Sequence, residues 1–542
     1  MASSANIPAP YNEPILSYAP GSRERDAIKA ALKKMSGEVA DIPVIIGGKE
    51  FRTGKTIDVV APHNHGHVLG RVHQADGRLV AQAVQASERA YRDWSHWKFE
   101  DRAAVFLRAA DLLAGPWRQV INAATMLGQS KTVFQAEIDS ACELIDFWRL
   151  NVGFAEQIYA QQPMSSPGAW NRSEYRPLEG FIYAITPFNF TAIGGNLPGT
   201  PALMGNTVVW KPAATACLSN YYVMKLLEAA GLPPGVVNFV PGDSAMITSR
   251  LLADRRLAGI HFTGSTSVFQ MLWKQVGERI ADYATYPRLV GETGGKDFVL
   301  AHPSADPEAL AVALVRGAFE YQGQKCSAAS RTYIPQSLWP EVRDRMVAMM
   351  KDIKMGDVAD FRNFMGAVID AKSFNKLTGY LEQAKKDRGV TVVAGGGTDG
   401  KKGYFVEPSL LQVKNPQYRT MCEELFGPVL TAHVYQDSDF RQTVKLVDTT
   451  SPYALTGSIF ARDRAVIDSV RTSLRHAAGN FYINDKPTGA VVGHQPVGGA
   501  RASGTNDKAG STLNLLRWVS PRSIKETLVP PTDYRYPFMA DR

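Results

Sequence analysis

From Gly180 onward the chain alternates short apolar runs with segments of helical period, and this rhythm restricts it to a parallel sheet with helices on both faces. Residues 181–185, 207–210, 236–240 and 259–262 read as buried strands. A helix over 221–230 stops at Gly231-Leu-Pro-Pro, and a Gly-Ser-Thr turn after the fourth strand opens another helix. A second α/β set runs from 298 to about 483, with helices expected at 306–321, 339–351, 441–447 and 464–474 and a glycine loop at 395–397.

The segments flanking this alternation are less regular. A helix is expected at 23–34 in an otherwise Pro-rich arm, and apolar residues at spacings of three and four predict helices over 81–92, 101–114 and 132–150. In the last of these, Asp139, Glu143 and Asp146 form an acidic stripe that reads as a solvated face. Pro163, Pro167 and Gly168 break the pattern, so 162–176 reads as a protruding hairpin. The tail from Trp518, with Pro530, Pro531 and Pro537, reads as an arm packed on something.

Several function classes fall away on composition. Sixty Lys and Arg against 52 Asp and Glu leave a net charge of +8 over 542 residues, and the basic residues are scattered, which argues against nucleic acid as a partner. No apolar run reaches the ~18 residues of a membrane span. The four cysteines (Cys142, Cys217, Cys326 and Cys422) form no CxxC pair, which points to a reducing compartment rather than a disulfide framework or zinc site. The first residues lack an apolar secretory segment, and Glu13, Glu24 and Asp26 sit among the first basic ones. The expected location is the cytoplasm, or the mitochondrial matrix if a presequence has been removed. The run His63-Asn-His-Gly-His67 brings three imidazoles together, but Gly66 suggests a turn and no fourth ligand is near; it reads as a surface loop, and no metal is assigned.

Three residues could carry chemistry. Cys326 follows Gly323 and stands beside the cationic Lys325 in a polar stretch, unlike a core cysteine; its thiol, with a pKa of about 8.5, would need positive potential or a base to become a nucleophile. Glu292 lies among glycines in Val290-Gly-Glu-Thr-Gly-Gly-Lys, where it can approach a ligand freely and act as a base if burial raises its pKa. Asn189 directly follows a strand, where open α/β sheets bind ligands, and its amide can donate to an oxyanion. The Phe262-Thr-Gly-Ser-Thr-Ser turn opens a helix whose N-terminal amides suit a phosphate, though it is not a full dinucleotide fingerprint, and Lys211 ends another strand.

In order, Asn189, Lys211, Gly264-Ser265, Glu292-Thr-Gly-Gly, Gly-Gln-Lys-Cys326 and Glu424-Leu-Phe426-Gly-Pro resemble the NAD(P)-dependent aldehyde dehydrogenase superfamily over nearly the whole chain. Met126-Leu-Gly-Gln-Ser-Lys-Thr, Thr191-Ala-Ile-Gly-Gly-Asn-Leu, Asn484-Asp-Lys-Pro-Thr-Gly-Ala and Gly499-Ala-Arg-Ala-Ser-Gly-Thr-Asn-Asp-Lys resemble its branch that oxidises L-glutamate γ-semialdehyde in proline catabolism. The resemblance implies an α/β aldehyde-dehydrogenase fold: a Rossmann-like cofactor domain (1–161 and 177–297), an α/β catalytic domain (298–500), and a β-flap oligomerisation segment with a C-terminal arm (162–176 and 501–542). It implies Cys326 as nucleophile, Asn189 with the Cys326 N–H as oxyanion donors, and Glu292 as the base for hydrolysis. For NAD it implies Thr186, Lys211, Gly264, Ser265, Thr266, Ser267, Val268, Glu424 and Phe426. For the substrate it implies Ser327, Gly489, Ala490 and Phe190.

Four departures from the family pattern stand out. Ala214 replaces a glutamate that in many members binds the ribose, which opens the way to NADP. Ala490 stands where relatives often have serine, Val497 where they have phenylalanine, and Phe269 where the wider superfamily has glycine. The implied partners are a small-molecule substrate, a homo-oligomer (dimer or hexamer) and a transient proline dehydrogenase. Succinate or α-aminoadipate semialdehyde are alternative substrates, and an inactive dinucleotide-binding interaction protein is the alternative of another class. A bifunctional proline enzyme is excluded, since the chain cannot also hold a barrel of about 250 residues.

Overall fold

The computed structural model describes residues 7–540. Two seven-stranded sheets form its frame. The first runs in the order Arg288–Glu292, Leu257–Thr263, Phe181–Ile185, Thr207–Lys211, Val237–Phe239, Val44–Ile46, Lys49–Phe51, parallel through the first five strands and antiparallel at the last two. Its central strands are apolar on both sides because both faces are covered. Ile182, Ala184, Val208 and Trp210 enter one core, while Phe181, Tyr183, Val209 and Ile260 enter the other. The second sheet runs Val390–Ala394, Ser409–Val413, Val429–Tyr435, Ala329–Pro335, Asp297–Ala301, Thr456–Phe460, Asn480–Ile483, and only its first strand is antiparallel.

Local sequence missed several features. Segment 162–176 is not a hairpin: strand Ala169–Pro177 pairs antiparallel with Val519–Thr527, from Ala169↔Thr527 to Pro177↔Val519. Pro163 and Pro167 do end the helix, but the partner strand comes from the far end of the chain, which a local pattern cannot show. Within the expected arm 501–542, Leu515 and Trp518 are fully buried in the core of the first half.

The helix expected over 132–150 is broken. It runs as Val133–Ala136, a wide π turn Glu137–Cys142, and Glu143–Ala160. Its acidic stripe is not solvated, since Asp139 and Asp146 are buried and paired. Nor is the histidine run a surface loop. His63 is 4% exposed with Nδ1 3.2 Å from Ser130 Oγ, and strand Asn64–His73 begins directly after it.

Candidate active site

The first sheet reverses its winding beside Phe181–Ile185, and ligands of such sheets bind in the crevice at that switch point, outside the strand C-termini. Register places the site residues along this edge: Ile185 pairs with Lys211 and with Phe262, and Thr263 pairs with Glu292. Thr186, Asn189, Gly264 and Ser265 follow those strands directly. Ser265 caps helix Thr266–Glu278 without a side-chain hydrogen bond; Val268 N donates to Ser265 O, which leaves the Thr266 and Ser267 amides for an anion. Val268 lies 40% exposed in that turn, and the Ser265 and Ser267 hydroxyls are 3.5 Å apart.

Lys211 is buried, and burial pulls its pKa down; among the described residues no carboxylate lies within ion-pair distance of it. An unpaired buried ammonium at one strand end and open helix amides two strands away along the same edge fit a dinucleotide, whose phosphates and ribose supply what both lack. Thr186 Oγ1 accepts from Trp210 Nε1 at 2.9 Å. Across the crevice, Glu424 accepts from Gly295 N at 2.8 Å, and a Cβ at Gly294 would stand 2.4 Å from its Oε2, so only glycine lets this carboxylate in. Phe426, at φ 58°, packs edge-on against Phe188 with centroids 5.7 Å apart. Phe269 fills the space over Gly291 and stacks on Phe262.

Cys326 lies three residues before the N-terminus of strand Ala329–Pro335, in the middle of the second sheet. The chain reaches it through three successive left-handed residues, Tyr321 (φ 49°), Gln322 (φ 56°) and Gly323 (φ 62°). A Cβ at Gly323 would lie 2.3 Å from Gly427 O, and left-handed backbone costs the other two about 1–2 kcal/mol each. Two glutamines hold this loop in place. Gln322 Nε2 donates to Ser130 O and Ala367 O at 3.0 and 2.7 Å, and its Oε1 accepts from Gly366 N; Gln324 Oε1 accepts from Ile369 N. Asn189 Nδ2 donates to Gln324 O at 3.0 Å, which ties the asparagine to the Cys326 loop.

Burial, and then the carboxylates of Asp297, Glu424 and Glu292, push the Cys326 thiol well above its usual pKa. Lys325 does not offset this: it turns away to pair with Asp139 at 3.1 Å, so the expected activation by an adjacent cation is not built into the loop. Lys131 shares that carboxylate; burial lowers its pKa to about 8, and it lies 4.3 Å from the Phe190 ring centroid. Burial tends to raise Asp139, but the two ammoniums outweigh it and keep the carboxyl low.

Burial raises the Glu292 pKa to about 8, partly offset by the Gly499 N–H at 2.8 Å and by Lys508. Cys326 opens into a cavity of about 550 Å³ whose walls include Phe190, Ser327, Gly489, Ala490 and Val497. Ser327 Oγ lies 2.7 Å from Thr488 Oγ1, and Gly489 takes φ 94°. Asn189 and Glu292 do not line this cavity; they flank the cysteine loop from the crevice side. Sequence reasoning missed Lys131, Asp297 and Asn12. Lys131 lies in a motif already singled out and Asp297 directly follows another, so both could have been weighed, whereas nothing local marks Asn12.

With a switch-point crevice on one sheet and a cavity open to a cysteine beside the other, the chain belongs to the aldehyde dehydrogenase family, whose model matches residues 50–523. Among relatives, it is 54% identical over 540 residues to the mitochondrial delta-1-pyrroline-5-carboxylate dehydrogenase of Dictyostelium discoideum, covering 99% of this chain and 97% of that one. The mitochondrial delta-1-pyrroline-5-carboxylate dehydrogenase of Homo sapiens is 50% identical, with 97% and 94% covered. The NAD-bound crystal structure of the delta-pyrroline-5-carboxylate dehydrogenase of Mycobacterium tuberculosis superposes with a TM-score of 0.96 at 56% identity, covering 100% of both chains.

Proposed function

We propose that the chain oxidises L-glutamate γ-semialdehyde, the open form of 1-pyrroline-5-carboxylate, to L-glutamate with NAD. This is the second step of proline catabolism. The observation that carries the reading is one cavity lined by Cys326 together with Ser327, Gly489 and Ala490, which lets a short chain lodge a carboxylate at its hydroxyl and amide groups and bring an aldehyde to sulfur. Relatives of about half identity bear the name of this activity. Residues 1–161 with 177–297 form the cofactor half and 298–500 the thiol half.

Thr186, Lys211, the 264–268 turn, Glu424 and Phe426 hold the dinucleotide, and NAD, when bound, supplies the two-electron hydride acceptor. The Cys326 thiol gives its proton to solvent, and the resulting thiolate sulfur adds to the aldehyde carbon. The Asn189 amide and the Cys326 N–H receive the resulting oxyanion. Collapse of that alkoxide expels the hydride and leaves a thioester on Cys326. Glu292 takes a proton from water, the water adds to the thioester, and sulfur departs from the product carboxylate. The Gly489 and Ala490 amides and Ser327 grip the α-carboxylate. Asn189→Ala should lower kcat about 100-fold while sparing the NAD Kd, checked by turnover and by cofactor titration; a defect in NAD binding alone rejects the oxyanion assignment.

Val497 and Ala490 in the cavity wall favour a second reading, a different small carboxylated semialdehyde, because both leave room that larger residues would fill. NADH production over glutamate, succinate and α-aminoadipate semialdehydes, with NAD and NADP side by side, decides between them. Glutamate semialdehyde should give the highest kcat/KM. NADP should support turnover too, because Ala214 places no carboxylate against a 2′-phosphate.

Assembly and location follow. The ribbon 169–177 with 519–527 and the tail beyond it expose Trp170, Val529, Tyr534 and Phe538, apolar surface suited to another copy of the chain. Removing residues 520–542 should lower the mass measured by light scattering; an unchanged mass rejects the arm's assembly role. Among the described residues no helix is long and apolar enough to cross a membrane, and all four cysteines are free. We place the chain in a reducing compartment, the cytoplasm or the mitochondrial matrix, supplied with its semialdehyde by a proline dehydrogenase.

A further inference from the structure

The segment before the first helix lies as a strap along the cavity, and Asn12, Glu13 and Ile15 form part of the wall. Asn12 Nδ2 is 2.8 Å from Asp146 Oδ2 and 2.9 Å from Val492 O. A side-chain amide nitrogen carries two hydrogens, so both bonds form together. Asp146 belongs to the helix wall, and Val492 ends the loop that carries Gly489 and Ala490. One side chain thus ties two walls that are hundreds of residues apart in sequence.

The rest of the strap is fixed. Glu13 N donates to Asp146 Oδ1 at 2.6 Å, the Glu13 carboxylate bridges Arg118 and Arg149, and the Arg149 guanidinium lies 4.3 Å from the Tyr11 ring centroid. Leu16 N and Tyr18 OH both donate to Glu137. The anchor loop, by contrast, is loosely held. Among the described residues, the bond from Asn12 is the only hydrogen bond of 489–492 to a partner outside 486–495.

We infer that Asn12 is a positioning residue for the substrate carboxylate: it holds the 489–492 loop at the depth where the loop's amides reach that group. This inference rests on the proposed reaction. It is tested in the full-length chain with Asn12→Ala and Asn12→Leu. Losing this tie should raise KM for glutamate semialdehyde about tenfold and weaken L-glutamate binding in calorimetry by a similar factor. KM for propanal, KM for NAD and kcat should stay within about twofold. Propanal has no carboxylate, so a general loosening of the fold would move both aldehyde KM values together. An equal rise in the two, or an unchanged glutamate affinity, overturns the inference. A wild-type chain that binds glutamate yet oxidises no semialdehyde would defeat the proposed reaction, and the strap would then be judged on binding alone. A wild-type chain that does not bind glutamate overturns the strap's role.

Discussion

Cys326→Ala should abolish NADH formation, with turnover falling at least about 1000-fold while the dinucleotide still binds. The size of the loss follows from the chemistry. An aldehyde donates hydride poorly, and the tetrahedral alkoxide that expels it forms only when a nucleophile adds to the carbonyl carbon. The other three cysteines cannot substitute. Cys142 borders the cavity, but its sulfur is engaged by Arg118 and Glu137, while Cys217 and Cys422 do not line the cavity at all. The crevice residues are untouched by the change, so cofactor titration should give the wild-type Kd. Turnover surviving in Cys326→Ala would remove the covalent route altogether, and a wild-type chain with no turnover on any aldehyde would favour an inactive dinucleotide-binding protein.

Glu292→Gln should separate the two half-reactions. The first equivalent of NADH should still appear as a burst, because forming the thioester needs sulfur and the oxyanion donors but not this base. Steady-state turnover should then fall about 100- to 1000-fold as hydrolysis stalls. The pH dependence sharpens the test. A carboxyl raised to about 8 by burial is mostly protonated at neutral pH and becomes a base as pH climbs through 8. Wild-type kcat should therefore rise with pH and level off above about 8, and the glutamine variant should lose that rise. The raised thiol also titrates, but it governs the burst and so separates in time. If burst and steady state shrink together, Glu292 serves the thiol rather than the water.

The α/β core was legible because strands covered on both faces must be apolar throughout: the pattern at 181–185 coincides with strand Phe181–Ile185, and 207–210 and 259–262 fall inside their strands. The candidate site residues were legible as motifs, each at a strand end or in a glycine-lined turn. What stayed hidden depends on distant pairing. The stripe Asp139, Glu143 and Asp146 has the spacing of a solvated face, yet Lys131, Lys325 and the N-terminal strap cover it. The ribbon needs residues 519–527 to meet 169–177, and no local window contains both. Helix 306–321 was expected to run on to Tyr321, but it ends at Phe319, where the left-handed turn that aims Cys326 begins.

That turn delivers the sulfur into a setting of carboxylates and apolar walls, with no cation turned toward it. A protonated thiol is a sluggish target for peroxide and for alkylating poisons alike.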